Sequence, residues 1–188
     1  MVQHMSSEGK KPRMSRETLL PALAQHVLDH GMEHASLRPL AKAAGTSDRM
    51  LVYHFGSKEQ LVDDVLAHIA DTYAQLLDDA FTDEAASTRE EVLQRVLEST
   101  GNAAMQPFLA LWWQIVAGCA RGNSGYLSAA QSVMDTLLAW LEQQMPQGDP
   151  DPARGARYLL TIIEGTQMLD AIGRGNIAAE GIAANVTS

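Results

Sequence analysis

The chain of 188 residues has one cysteine, Cys119. An intramolecular disulfide framework and a multi-cysteine metal cage are therefore excluded. One thiol fits a reducing cytoplasm, the localisation expected here. Aromatics are scarce, at 5%, and Gly and Pro recur without a period, which removes collagen-like and low-complexity architectures. The opening residues, MVQHMSSEGKKPRMS, are polar and basic and do not read as a signal peptide. The longest apolar stretch, Phe108 to Ala120, is interrupted by Gln114. As a helix it would span only about 20 Å, short of a bilayer core of roughly 30 Å, so no membrane partner is expected. No sustained alternation of β-branched residues is present, so no sheet is expected. A Gly-rich phosphate loop and a nucleophile elbow are missing too. The acidic pairs Asp63-Asp64, Asp78-Asp79 and Glu90-Glu91 do not converge, because adjacent helical residues point about 100° apart. No catalytic residue and no cofactor are assigned on this reading, and an all-helical enzyme is the weakest of the functional readings.

What is present is an ordinary globular composition, 46% hydrophobic and 20% charged. The net charge of −9 would by itself argue against a nucleic-acid partner. Its distribution argues the other way. Residues 1–60 hold eight Lys/Arg against six Asp/Glu, whereas residues 61–188 hold six against 17. A mildly basic end joined to a strongly acidic remainder is a common pattern for a nucleic-acid-binding end on a body that does not bind it.

Every periodic segment reads as helix. The first runs from about Ser15–Thr18 to His30, with Leu20, Leu23, Ala24 and Val27 on one face and Gly31 as the stop. Pro21 is tolerable only in a first turn, so this helix either starts near Thr18 or bends. A short second helix is capped by Ser36, with Pro39 in its first turn. Gly45-Thr46-Ser47 breaks it, and a third helix covers Asp48 to His54. Ser57-Lys58-Glu59-Gln60 is a capping box opening a fourth helix to about Asp79. Further helices are expected from the box at Ser87-Thr88-Arg89-Glu90 to Ser99, over Ala104–Arg121, Tyr126–Met145 and Ala153–Ile172. The tail from Gly173 is small-residue and expected to fray.

Residues 36–55, SLRPLAKAAGTSDRMLVYHF, have helix-turn-helix spacing, with glycine where two helices meet at a steep angle. Ala41 and Ala44 permit close approach, and Leu40 and Leu51 can pack between the helices. The longer run AGTSDRMLVYHFGSKEQLV, carrying Gly45, Leu51, Tyr53-His54-Phe55, Gly56, Ser57-Lys58-Glu59 and Leu61, resembles the signature of the tetracycline-repressor-like (TetR) family of bacterial transcriptional regulators. The segment LAQHVLDHG resembles the end of that family's first helix. The likeness covers about residues 15–66, and departs from it at Val52, where an aromatic is usual, and at Thr46, Pro21 and Pro39.

The resemblance implies an all-α chain, with an N-terminal three-helix helix-turn-helix DNA-binding domain and a C-terminal helical ligand-binding and dimerisation domain. The expected limits are a flexible basic arm at 1–14, the DNA-binding domain at 15–60, the effector domain at 61–173 and a tail at 174–188. Arg38 matches a family position that touches DNA; a guanidinium can make two parallel hydrogen bonds to phosphate or guanine. Ser47, Asp48, Arg49 and Met50 stand at the start of the recognition helix, where bases are read. Arg49 suits guanine and Met50 a thymine methyl. Asp48 would either accept from cytosine or cap the helix, with capping favoured. Tyr53 and His54 are expected on the DNA backbone, and Lys58, at a helix N-terminus, on a single phosphate. Lys10, Lys11, Arg13 and Arg16 form either an arm along the duplex or a tail that only adds charge. His26 and His30 have zinc-compatible spacing, but no third ligand is evident and no metal is assigned.

In the acidic body, Met105, Phe108, Trp112, Trp113, Met134 and Trp140 are candidates for an apolar ligand pocket, or else plain core. Cys119 reads as a small buried hydrophobe. The last two helices read here, long and apolar with Gly165 and Ala171 at close-contact positions, would pair with those of a second copy. The expected partners are double-stranded DNA with a palindromic operator, a small apolar effector and a second copy of the chain. The expected function is a sequence-specific repressor released by its ligand; the alternative is a helical protein-binding module that does not contact DNA.

Overall fold

A computed structural model describes residues 14–81 and 85–186, and short polar side chains set where its helices begin. Ser15 caps α1 (Arg16–His30): its Oγ accepts the Thr18 N–H, and Thr18 Oγ1 accepts the Ser15 N–H at 2.9 Å. The reciprocal pair satisfies two donors that a helix start leaves orphaned. α1 thus starts ahead of Thr18, and Pro21 lies inside it rather than in its first turn. Pro21 is exposed, as is Glu17, so the carbonyl that loses its partner there is the one nearest to water. A 3-10 turn at Met32–His34 leads to α2 (Leu37–Ala43). Ser36 is its N-cap residue, but its side chain makes no capping hydrogen bond.

α2 ends in a Schellman turn. Thr46 N–H donates to the Ala41 carbonyl at 2.9 Å and Gly45 N–H to that of Lys42 at 3.3 Å, with Gly45 at φ +64° in the region where a β-carbon is penalised. This fixes the angle at which α3 (Asp48–Phe55) leaves. Ser47, not Asp48, caps α3, its Oγ accepting the Met50 N–H at 3.3 Å. α4 (Lys58–Ala80) opens with Ser57 Oγ accepting the Gln60 N–H at 3.1 Å.

One compact unit ends at Val65 and the second begins at Leu66. In the first, Leu23 and Val27 of α1, Leu40 of α2, Leu51 of α3 and Leu61 and Val65 of α4 are all but fully buried together with Phe55. Arg16 is held within this unit: it ion-pairs with Asp64 and lies over the Phe55 ring, 5.5 Å from its centroid. It belongs to the first turn of α1 and not to a mobile arm. Lys10, Lys11, Arg13 and nearly all of the expected arm lie outside the described residues.

The second unit holds the rest of α4 with α5 (Arg89–Thr100), a 3-10 turn at Ala103–Met105, α6 (Gln106–Ala120), α7 (Ser124–Gln144), α8 (Pro152–Ala171) and α9 (Gly175–Val186). α5 is capped by Thr88, one residue later than the expected box, while Glu91 accepts the Ser87 N–H at 2.8 Å. The core joins Leu77, Val92, Leu93, Val96, Met105, Trp140, Leu141, Ala156, Leu159 and Ile163. Gly118 lets α6 and α7 close up: a Cβ there would fall 1.9 Å from the Tyr126 ring. The proline-rich loop before α8 is clamped by Arg89, which donates twice to Asp149, at 2.6 Å each, and once to the Asp151 carbonyl at 3.1 Å. A Cβ on Gly155 would meet that guanidinium at 2.8 Å.

Two expectations need correction. The tail beyond Gly173 is helical: Ala178 is buried, and Ile182 packs on the core. Residues 103–120, with a mean hydropathy of 1.2, are long and apolar enough to cross a membrane, unlike the shorter run read from the sequence. In the fold this segment opens with the 3-10 turn and buries Met105, Leu111 and Ile115.

Candidate nucleic-acid interface and apolar cavity

α3 is a two-turn rod with one buried side and one open side. Leu51 and Phe55 point into the unit, while Asp48, Arg49, Val52 and Tyr53 are exposed. The spacing of outward residues follows from a helical period of 3.6. Tyr53 is 77% exposed, which leaves its phenol open to solvent. Arg38 on α2 and Lys58 at the start of α4 are exposed as well, and neither makes an ion pair among the described residues. Ser47 is exposed; its oxygen is occupied by the cap, but its O–H proton remains a donor. Asp48, relieved of capping, sits in the first helical turn, where a carboxylate is favoured by the helix dipole. Met50 is half-buried.

His54 is placed differently from Tyr53. Its ring meets that of Tyr53 edge-on with centroids 5.2 Å apart, and its Nε2 is shut off from solvent without a hydrogen-bond partner among the described residues. The exposed donor at the end of α3 is therefore Tyr53 and not His54 Nε2. Val52, 40% exposed, joins the outward row; the sequence reading noted it only as a departure from a family pattern. On α1, the His26 and His30 rings stack at 4.4 Å, and His30 Nδ1 is within hydrogen-bond distance (3.0 Å) of the His26 carbonyl. Burial and the neighbouring histidines hold the His26 imidazolium at a lower pKa than usual.

The second unit contains an apolar cavity that is partly open to solvent. α4 contributes Leu66, Ile69, Ala70 and Tyr73; α6, α7 and α8 supply the other walls. Of the six pocket candidates, Phe108, Trp112 and Met134 line it. Met105 and Trp140 do not: both are built into the core, where the Trp140 indole N–H donates to Asp78 and its ring meets Phe81 edge-on at 5.0 Å. Trp113 is half-buried and also off the cavity wall. Sequence reasoning missed the polar members, Tyr73, Glu164 and Gln167. Trp112 Nε1–H donates to Glu164 Oε2 at 3.0 Å. Burial pushes the Glu164 carboxyl above its usual range, opposed by that hydrogen bond. Burial, with the charge of Glu164, pushes the Tyr73 phenol up to about 12, while a hydrogen bond from Gln167 works against it.

Comparison with known proteins bears on both units. Residues 19–65 match the model for bacterial regulatory proteins of the tetR family. The HTH-type transcriptional repressor KstR2 of Mycolicibacterium smegmatis is 36% identical over 74 residues, which make up 37% of this chain; the chain spans 36% of that repressor's length. The crystal structure of SCO7518 from Streptomyces coelicolor A3(2) is similar with a TM-score of 0.70 and 24% identity, over 92% of this chain and 98% of that one. The multidrug binding protein EbrR complexed with proflavin is similar with a TM-score of 0.64 and 19% identity, over 90% and 98%. The two solved structures share the all-helical fold along nearly the whole chain.

Proposed function

We propose that this chain, whose residues 19–65 match the model for bacterial regulatory proteins of the tetR family, is a dimeric transcriptional repressor, not an enzyme, acting in the cytoplasm and released from a palindromic operator by a small molecule. The observation that carries the proposal is the outward row of α3. A capped, internally braced rod presents Arg49, Val52 and Tyr53 to solvent, flanked by the exposed cations Arg38 and Lys58, which make no ion pair among the described residues. Such a rod fits a major groove. Arg49 reads guanine, Met50 or Val52 meets a thymine methyl, Asp48 accepts from cytosine, and Ser47, Tyr53 and Lys58 hold phosphates. His54 then acts on the backbone only through the ring edge that is not enclosed.

A second copy supplies the second half-site, about 34–36 Å away or a little more. Its docking face is assigned to the last two helices of the fold, α8 and α9, in place of the α7–α8 pair read from the sequence. Met168 on α8, Ile172 at its C-cap and Ile177 on α9 are each at least half exposed. The effector site is assigned to the apolar cavity, a reading supported by the small molecule bound to EbrR. Because α4 lines the cavity and also begins in the first unit, ligand and operator select different populations of the dimer and oppose each other's binding.

The test is a titration of duplex DNA carrying a candidate palindrome. Affinity should fall steeply as salt rises, since phosphate contacts release counterions. Arg49→Ala should relax preference at one base pair, whereas Lys58→Ala should weaken all sequences alike. A flat salt dependence would instead favour a helical protein-binding module.

A further inference from the structure

The walls of the cavity are not chemically neutral. Among the described residues that line it, Glu164 is the one ordinarily charged side chain, and no Lys, Arg or His is among them. A carboxylate in a lining otherwise built from side chains such as Ile69, Ile115 and Leu137 is costly to keep ionised unless something answers its charge. The protein answers only part of it: Oε2 accepts the Trp112 N–H, and Oε1 has no hydrogen bond among the described residues. Around the same space stand three aromatic rings, Tyr73, Phe108 and Trp112, with Tyr73 and Phe108 5.6 Å apart between centroids and tilted by 47°. Ring faces carry negative potential and attract cations, most strongly where water is excluded.

We propose that this cavity takes a lipophilic organic cation, with its positive charge against the Glu164 carboxylate and its apolar body among Tyr73, Phe108 and Trp112. The proposal deepens the effector reading above and rests on it for the regulatory consequence, but not for binding itself. Anionic ligands are disfavoured, because the lining offers them one carboxylate and no base. Neutral apolar ligands gain from area alone and have no use for Glu164. Of the titratable groups facing Glu164, Tyr73 on α4 stays neutral through the working range, and α6 and α7 bring none to the lining. The raised carboxyl of Glu164 then sets the acid limb. As pH falls through it, the carboxylate takes up a proton and the cation loses its partner; conversely, cation binding in that range expels the proton.

The test uses the full chain and two probes of nearly equal shape, benzyltrimethylammonium and its uncharged isostere neopentylbenzene, titrated by calorimetry and by Trp112 fluorescence. The cation should bind more tightly than the isostere. Glu164→Gln should weaken the cation by about tenfold or more and the isostere by less than about threefold. Phe108→Leu, which keeps the wall apolar, should weaken the cation alone, and it carries the test if Glu164→Gln melts early. Equal binding of the two probes, cation binding indifferent to both substitutions, or no binding of either probe would overturn the assignment. Operator release is followed in parallel. Binding through Glu164 without release would leave the cation site standing and remove the effector reading. Release that ignores Glu164 would do the reverse.

Discussion

The two units differ in the charge that surrounds their cations. In the first, Arg38, Lys42, Arg49 and Lys58 are exposed and make no ion pair among the described residues. In the second, Arg89 and Arg95 are paired with Asp149 and Glu91, and the exposed Arg121, Arg154, Arg157 and Arg174 stand in a unit that carries 15 acids against six bases. A guanidinium already held by a carboxylate must give up that partner before it meets a phosphate, whereas an unpaired cation gives up only water and counterions. The lesson is that the net charge of −9 says little about partners until it is divided by unit and by pairing. Arg16 is the exception: a cation of the first unit that pairs with Asp64, lies over the Phe55 ring and so supports α3 from behind.

The sharpest way to break this comparison is to unfold one unit and watch the other. Leu51 is fully buried, and Leu51→Ala should cost about 2–5 kcal/mol. DNA binding should vanish. Tryptophan emission should persist, because Trp112, Trp113 and Trp140 all belong to the second unit; joint loss of both signals would show that the units do not fold separately. A smaller effect is expected inside the second unit. Gly118→Ala should cost about 1–3 kcal/mol through the clash with Tyr126, lowering the melting temperature without altering which DNA sequences are preferred. Smaller again is the contrast between single cations. Lys58→Ala should reduce the slope of log affinity against log salt by about one, and Arg95→Ala should leave that slope unchanged.

The smallest effect concerns pH. Arg89 holds the Asp149 carboxyl at about 2, below its ordinary 3.8. A carboxyl depressed by folding adds stability above its unfolded value and loses it as pH drops to the folded one. The wild-type melting temperature should therefore include a decline between about pH 4 and pH 2 that Asp149→Asn abolishes; an identical profile in the variant would remove the Arg89 clamp from the account.

The fold of the first unit was legible because its signals are local. Gly45 at the turn, the Ser57-x-x-Gln60 box and the apolar spacing of Leu23, Leu40 and Leu51 each act within a few residues. The cavity was legible only in part. That Phe108, Trp112, Met105 and Trp140 are apolar announces burial, yet two apolar volumes exist in the second unit, and long-range packing decides which one each side chain enters. Glu164 did leave a trace, as an acid beside Ile162 and Ile163 on an otherwise apolar stretch of α8. α9 was missed because its glycines lower helix propensity, while the burial of Ala178, invisible locally, outweighs them. Arg16 was read with the arm because four bases cluster from Lys10 onward; the pair at Ser15 and Thr18 had already begun the helix.

The Arg89 guanidinium lies where a side chain at position 155 would otherwise stand. Positions 89, 149 and 155, far apart along the chain, are thus bound to a common inheritance. A lineage that acquires a larger residue at 155 must push the guanidinium of 89 aside, and with it the grip on the aspartate at 149. Descendants of this protein that keep the arginine and the aspartate should accordingly keep the glycine as well.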